Sequence, residues 1–270
     1  MQLYHRQLGE GSPLIILHGL YGSSDNWLNI AKILADRHTV YLLDQRNHGR
    51  SPHSDTHTYL AMRDDLLEFM DQEGIEKATL LGHSMGGKTA LYFSVAYPER
   101  LNGLIVVDIA PTGYPQLTDA NPQALTHLNI TNALYNLDTS KIQTLKEADQ
   151  KLAESIPYMQ VRQFLLKNLK RDKETGRFRW LLNVRAIRDQ LPEIMDGLNP
   201  DEFDDADQIT SVPTLFIKGE KSPYIQDEHF EEIRKIFPRA RIKTIEGAGH
   251  WVHAEKRQVF LRVVGEFLDK

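Results

Sequence analysis

A serine flanked by two glycines is the residue of this sequence best placed to do chemistry. Residues 82–86 read Gly-His-Ser-Met-Gly, with Ser84 at the centre, directly after the apolar run 78–81 and directly before a helical pattern at 85–97. A turn between a strand and a helix exposes the serine hydroxyl and presents the next backbone N–H to a developing oxyanion. The glycines permit dihedrals that a β-carbon would block. The segment therefore predicts a nucleophilic serine.

A serine hydroxyl needs a general base, and the chain offers a histidine in a glycine-containing loop. His250 lies in Gly-Ala-Gly-His-Trp at residues 247–251, immediately after the last predicted strand, 241–245. An imidazole there can take the proton of Ser84 and later return it to a leaving group. We therefore predict His250 as the general base and assign no role to His253.

The oxyanion of an acyl-transfer reaction needs two hydrogen-bond donors near the serine. Residues 18–22, His-Gly-Leu-Tyr-Gly, follow the first predicted core strand, a position that can supply one of these donors. The backbone N–H groups of Leu20 and Met85 are predicted to point at the oxyanion.

The acid that orients the base is the least regular part of the pattern. The segment 219–223 reads Gly-Glu-Lys-Ser-Pro and carries Ser222 where an aspartate is the common choice, and serine cannot balance an imidazolium. Asp108 ends the strand 103–107, next in sequence to the serine strand, and we favour it as the acid. Two alternatives stay open: Asp108 could instead cap the following turn, and Glu220 could be the acid. Asp227 lies farther along the loop.

Neither a metal site nor a nucleotide site is predicted. His48, His53 and His57 cluster in and after the loop 44–51, but their spacing does not match a zinc site, so a structural loop is the better interpretation. The glycines at 82–87 have neither dinucleotide nor Walker spacing. Serine chemistry needs no cofactor, and none is expected.

Alternating strand and helix patterns must position these residues. Continuous apolar runs recur, as in strands buried on both faces of a parallel sheet, at 13–17, 39–43, 78–81, 103–107, 213–217 and 241–245. Helical patterns separate the early runs, and a final helix is predicted at 255–268. The expected fold class is α/β, with a mostly parallel central sheet flanked by helices.

From residue 111 to about residue 206 the strand rhythm stops and several helices are predicted, at 122–137, 140–155, 159–169 and 184–195. We expect this segment to be a helical cap inserted between two parts of the core, 1–110 and 207–270. Its apolar residues could line a substrate pocket, although such stripes usually pack internally. The candidate substrate contacts are Trp180, Phe164, Tyr224 and Trp251.

Composition limits the classes of binding partner and the cellular compartment that the sequence suggests. The chain has 270 residues, a net charge of −5 and no run of lysine or arginine, which argues against nucleic acid and acidic membranes as partners. Its first residues have no apolar signal-peptide core, and no apolar stretch has the length of a membrane span. With no cysteine, thiolate catalysis is excluded. We expect a soluble, cytoplasmic protein with a small-molecule substrate, and make no prediction of oligomeric state.

The whole chain resembles the small bacterial YbfF-type esterases of the α/β-hydrolase superfamily. The most specific segments of this resemblance are residues 18–27, 44–51, 82–88, 108–111 and 247–256. The resemblance implies an α/β-hydrolase fold with an inserted helical cap. It implies a carboxylesterase or thioesterase acting on small to medium acyl groups, with its acid after the strand next to the serine. That placement agrees with Asp108.

Two other functions remain open for this pattern. A perhydrolase or haloperoxidase-like enzyme would use the same three residues but admit peroxide to the acyl-enzyme. A non-catalytic ligand receptor could also use this fold, because a fold alone does not establish function. Dehalogenases are disfavoured, since they carry an aspartate where this chain has Ser84.

Overall fold

The computed structural model describes residues 1–114, 122–199, 201 and 208–269. Within these residues the chain forms nine strands: β1 His5–Leu8, β2 Ser12–Leu17, β3 His38–Leu43, β4 Ala78–His83, β5 Leu101–Val107, β6 Leu169–Arg171, β7 Phe178–Trp180, β8 Thr214–Gly219 and β9 Arg241–Ile245. The same residues form eleven α-helices: α1 Leu28–Leu34, α2 Tyr59–Gln72, α3 Met85–Ala96, α4 Pro122–Asn136, α5 Leu145–Ala153, α6 Met159–Leu166, α7 Val184–Asp189, α8 Leu191–Met195, α9 His229–Ile236, α10 Val252–Glu255 and α11 Arg257–Leu268.

Seven strands form one sheet in the order β1-β3-β2-β4-β5-β8-β9. Every neighbouring pair is parallel except β1 with β3. The central strands are apolar and buried on both faces, because helices cover the sheet on each side. Helices α2, α3 and α9 pack on one face, and α1 and α11 pack on the other. The predicted fold class is confirmed.

The parallel arrangement brings the predicted chemistry to one edge. Because parallel strands share a direction, the loops that leave their carboxyl ends meet at the same edge of the sheet. Those loops carry His18 after β2, Ser84 after β4, Asp108 after β5, Ser222 after β8 and His250 after β9.

Between β5 and β8 the chain leaves the sheet and forms α4 to α8 and the antiparallel hairpin β6-β7. Buried apolar side chains of these elements pack on residues of the core edge, among them Leu20, Tyr59 and Met85. The predicted end of this insertion, near residue 206, lies outside the described residues, so the boundaries 111–206 stay a prediction.

Three predicted helices of the insertion differ from the structure. The pattern at 140–155 becomes a helix only from Leu145, because the Thr144 hydroxyl accepts the N–H of Glu147 as its cap. The pattern at 159–169 ends at Leu166, and the short hairpin that follows was not predicted. The pattern at 184–195 divides at Gln190, since Pro192 fits the first turn of a second helix but cannot continue the first.

No helix among the described residues combines the length and the apolar character that crossing a membrane requires.

Candidate active site

Ser84 lies on a sharp turn between β4 and α3. Its φ of 52° and ψ of −120° are sterically unfavourable for a residue with a side chain, so the surrounding structure must hold it there. Its N–H donates to the carbonyl of Val107 at 3.0 Å. The turn closes tightly, because a β-carbon on Gly82 would lie 2.2 Å from the carbonyl oxygen of Gly86. This geometry requires glycine at position 82 and fixes the serine at the sheet edge.

His250 and Asp108 form a direct hydrogen-bonded pair. Nδ1 of His250 lies 2.7 Å from Oδ2 of Asp108, whose side chain is fully buried. A carboxylate can only accept, so Nδ1 carries the proton and Nε2 is left free to accept one. Asp108 has a φ of 54°, so the acid, like the serine, sits on a strained turn after its strand.

The Asp108 carboxylate has two further donors. The N–H of Gly219 donates to Oδ1 at 2.9 Å, and the hydroxyl of Ser222 donates to Oδ2. Sequence reasoning considered Ser222 only as a residue that cannot be the acid. In the structure the hydroxyl at this position donates to the carboxylate of Asp108, which another strand contributes.

The alternative acids are engaged elsewhere. Glu220 is exposed, and its Oε2 accepts the N–H of Gly247 at 2.7 Å. Asp227 is 94% exposed and lies 3.8 Å from Lys218 Nζ. Neither carboxylate is paired with His250, because Asp108 already occupies Nδ1.

Two aromatic rings flank the His250 imidazole. The Tyr224 ring lies 4.2 Å from it between centroids and the His83 ring lies 4.6 Å from it. His83 Nε2 donates to the backbone carbonyl of His250 at 2.9 Å. Burial lowers the pKa of His83 well below its usual range, and the nearby His250 lowers it further. His83 therefore stays neutral and does not oppose a positive charge on His250.

His18 fixes the peptide that carries the N–H of Leu20. Its Nδ1 and the N–H of Gly22 each donate to the carbonyl of Gly19 at 2.9 Å, and its Nε2 accepts the N–H of Gln45 at 3.0 Å. Burial lowers the pKa of His18, so the ring is neutral, as one donor and one acceptor require. Because the C=O and N–H of a trans peptide point in opposite directions, the anchored carbonyl directs the Leu20 N–H the other way.

The loop that carries Leu20 lies against the serine. A β-carbon on Gly19 would approach the β-carbon of Ser84 to 3.2 Å and Nδ1 of His83 to 2.9 Å. Met85 is the first residue of α3, where backbone N–H groups have no partner within the helix and the helix dipole is positive. The structure thus places both predicted donor residues beside Ser84, in a region suited to negative charge.

A cavity of about 390 Å³ opens above the serine, and both Ser84 and His250 line it. No hydrogen bond joins these two side chains among those of the described residues. Catalytic hydrogen bonds are often longer without substrate and tighten in the complex, so the shared cavity is the relevant observation.

Three of the four predicted substrate contacts line this cavity. Phe164, Tyr224 and Trp251 do so, with the Phe164 and Trp251 rings 5.5 Å apart between centroids. Trp180 is not among the described residues that line the cavity. It sits on β7 opposite Leu169 and packs inside the insertion. The sequence did not predict the hairpin that carries Trp180, so the prediction placed this side chain wrongly.

Two residues of the site had no specific signal in the sequence. His127, on α4, lines the cavity, and its Nε2 is 3.0 Å from the Tyr224 hydroxyl. Burial lowers its pKa to about 4, so it is neutral at physiological pH. Lys88, on α3, is buried, donates to the carbonyl of Asp196 at the end of α8, and lies 4.9 Å from the centroid of the Tyr114 ring. Both contacts depend on the insertion, whose position the sequence does not reveal.

The histidines considered as metal ligands belong to the protein framework. His48 Nε2 accepts the N–H of Tyr21 at 3.2 Å, and His48 and His57 are fully buried. His53 Nε2 is 3.2 Å from the carbonyl of Leu181. Across the residues that the structure describes, no group of three or more histidine, aspartate or glutamate side chains could hold a metal ion.

Comparisons with known proteins identify the family of this chain. The family described as the alpha/beta hydrolase fold matches residues 12–257. The sn-1-specific diacylglycerol lipase ABHD11 of Xenopus laevis is 36% identical over 267 residues, covering 96% of this chain and 80% of its own. Esterase YbfF of Escherichia coli K12 is 36% identical over 258 residues, covering 96% and 93%. A solved structure, a marine microorganism esterase, is 46% identical with a TM-score of 0.92 and covers 98% and 99%.

Proposed function

From the premise that this chain belongs to the α/β-hydrolase family, we propose that it is a serine hydrolase that cleaves carboxylic esters or acyl thioesters through an acyl-enzyme. Similar proteins carry the names of esterases and of a lipase. The observation that carries the proposal is the 2.7 Å pair of His250 and buried Asp108 at a cavity that Ser84 also lines.

In the proposed mechanism Ser84 attacks the carbonyl carbon while Nε2 of His250 takes the hydroxyl proton. Asp108 keeps the proton on Nδ1 and stabilises the imidazolium that forms. The backbone N–H groups of Leu20 and Met85 stabilise the oxyanion, which the helix dipole of α3 also favours. His250 then donates its proton to the leaving alcohol or thiol, and water hydrolyses the acyl-enzyme by the same steps. No metal or cofactor takes part.

The insertion, residues 111–206 in this proposal, acts as a cap that encloses the substrate. Phe164 on α6 supports this role, because its ring packs against that of Trp251 in the loop of His250 and both residues line the cavity. The mixture of apolar side chains with a few polar groups suits small to medium acyl groups with an ester or thioester link.

The test is a panel of p-nitrophenyl esters and acyl-CoA thioesters, from acetyl to palmitoyl, assayed with the wild type and Ser84→Ala. We expect Ser84→Ala to lose all but a residual activity, on the order of 10³-fold or more in kcat. Ser94→Ala is the matched control, because Ser94 lies on the same helix and its hydroxyl donates to the carbonyl of Leu91. Activity that survives in Ser84→Ala, or a wild type that hydrolyses no ester or thioester, would contradict the proposal.

A further inference from the structure

Two cavities of very different size meet at Ser84. The large one has about 390 Å³, and a small one has about 20 Å³. Four described residues line both cavities: Leu20, Ser84, His127 and Tyr224. The nucleophile therefore stands at the junction of a roomy compartment and a confined one.

The residues that belong to only one cavity differ in their chemical role. Among the described residues, His250 lines the large cavity and not the small one. Met85 and Lys88 line the small cavity and not the large one. The proposed base thus faces one compartment, while the helix that follows the serine faces the other.

This separation matters because the tetrahedral intermediate has two organic substituents. The bond from the acyl carbon to the leaving oxygen or sulfur breaks, and that atom takes the proton from Nε2 of His250. The leaving group must therefore lie within hydrogen-bond reach of His250. The acyl substituent stays on the carbon and points away from His250, toward α3.

We propose that the small cavity takes the acyl group and the large cavity takes the leaving group, so that short acyl groups on larger alcohols or thiols are the preferred substrates. This proposal rests on the proposed function and names its substrate class. A volume near 20 Å³ is of the order that holds one water molecule, so it suits the methyl group of an acetyl. Tyr59, Ile194 and Met195, all nearly fully buried, close it off.

An isomeric pair of esters tests the assignment. Benzyl acetate has a small acyl group and a large leaving group, whereas methyl phenylacetate has the reverse arrangement of the same atoms. After each rate is divided by the rate of hydroxide hydrolysis, we expect the wild type to favour benzyl acetate by about tenfold or more in kcat/KM. Equal rates, or a preference for methyl phenylacetate, would overturn the proposal.

A pair of variants locates the effect. Met195→Ala should enlarge the small cavity and raise kcat/KM for methyl phenylacetate several-fold. The preference for benzyl acetate over methyl phenylacetate should therefore decrease. Val161→Ala changes the wall of the large cavity, and it should leave methyl phenylacetate unimproved. Because Met195 is buried, its truncation can destabilise the protein by about 2–5 kcal/mol, so thermal unfolding of each variant is recorded. If Met195→Ala does not fold, the wild-type ratio alone decides.

The same assay separates this proposal from the proposed function. Ser84-dependent hydrolysis of p-nitrophenyl acetate reports on the function whatever the isomers do. If that ester is hydrolysed and benzyl acetate is not, the assignment of the cavities fails while the serine hydrolase stands. If no ester is hydrolysed, both proposals fail.

Discussion

The two walls of the active-site cavity are built in different ways. On the sheet side, Asp108 is completely buried, Ser84 is 8% exposed, and His18, His83 and His250 each have a defined hydrogen-bond partner. On the side of the inserted helices, Phe164 is half-buried and Gln160 is exposed, and apolar packing dominates. Satisfied hydrogen bonds between buried groups hold these groups rigidly, whereas apolar contacts tolerate substitution. The sheet side therefore suits chemistry and the helical side suits substrate selection.

The largest decrease in kcat is expected from substitution of Asp108 on the sheet side. Asp108→Asn should lower kcat by about 10³- to 10⁴-fold, because the amide no longer holds His250 in the productive tautomer. Glu220→Gln is the matched control and should stay within about threefold, since Glu220 bonds only the backbone of Gly247 among the described residues. Steady-state rates on one ester settle the comparison, and the reverse order of effects would identify Glu220 as the acid.

A smaller effect should follow from loss of the hydroxyl beside the acid. Ser222→Ala removes a donor to a buried carboxylate, an interaction of about 1.5–3 kcal/mol, so kcat should fall by about 10- to 100-fold. KM should change little, because Ser222 is not among the described residues that line the large cavity. Ser222→Thr keeps the hydroxyl and should recover most of the rate. A change confined to KM would show that Ser222 does not act through Asp108.

The two walls meet at Lys88, which joins α3 to the end of α8. Burial lowers the pKa of Lys88 from 10.5 to about 7, so between these values the unfolded chain binds more protons than the folded one. The free energy of unfolding should therefore rise with pH in this window, by up to about 1.4 kcal/mol per pH unit. Lys88→Met lacks this contribution. Urea unfolding from about pH 7 to about pH 9 should show a stability difference, variant minus wild type, that falls as pH rises, and a constant difference would contradict the assignment.

The smallest effects are expected on the helical side. Phe164→Ala should raise KM by about 3- to 10-fold with little change in kcat, since Phe164 lines the cavity but has no role in the proposed chemical steps. Trp180→Ala should leave KM unchanged but lower stability, because Trp180 packs within the insertion. Steady-state kinetics and thermal unfolding of both variants distinguish an effect on substrate binding from an effect on stability. An increase in KM for Trp180→Ala would indicate that Trp180 lines the cavity.

The difference between the walls also explains what the sequence could predict. The sequence predicts Ser84 and His250 because a glycine-bounded turn after an apolar strand is a local pattern with a specific backbone consequence. Asp108 required the further step that parallel strands end at one edge. The same alternation of strands and helices predicts a mostly parallel sheet, but it does not predict the order of the strands.

The helical side could not be predicted to the same depth. An apolar residue on a short helix or hairpin has the same signature whether it faces a cavity or a neighbouring helix, so Phe164 and Trp180 looked equivalent. His127 and Lys88 acquire their partners only when the insertion folds onto the core. The sequence shows only that Ser222 lacks a carboxylate. Its hydrogen bond to Asp108 depends on the distance between the loops after β5 and β8, which the sequence does not reveal.

Trapping the acyl-enzyme tests the central claim most directly. The wild type is mixed with p-nitrophenyl acetate, quenched in acid during the first turnover, and analysed by intact mass and peptide mapping. The account predicts a mass increase of one acetyl group, located on the peptide that contains Ser84 and absent from Ser84→Ala. Nitrophenol release without an acetyl group on Ser84, or equal release by Ser84→Ala, would contradict it.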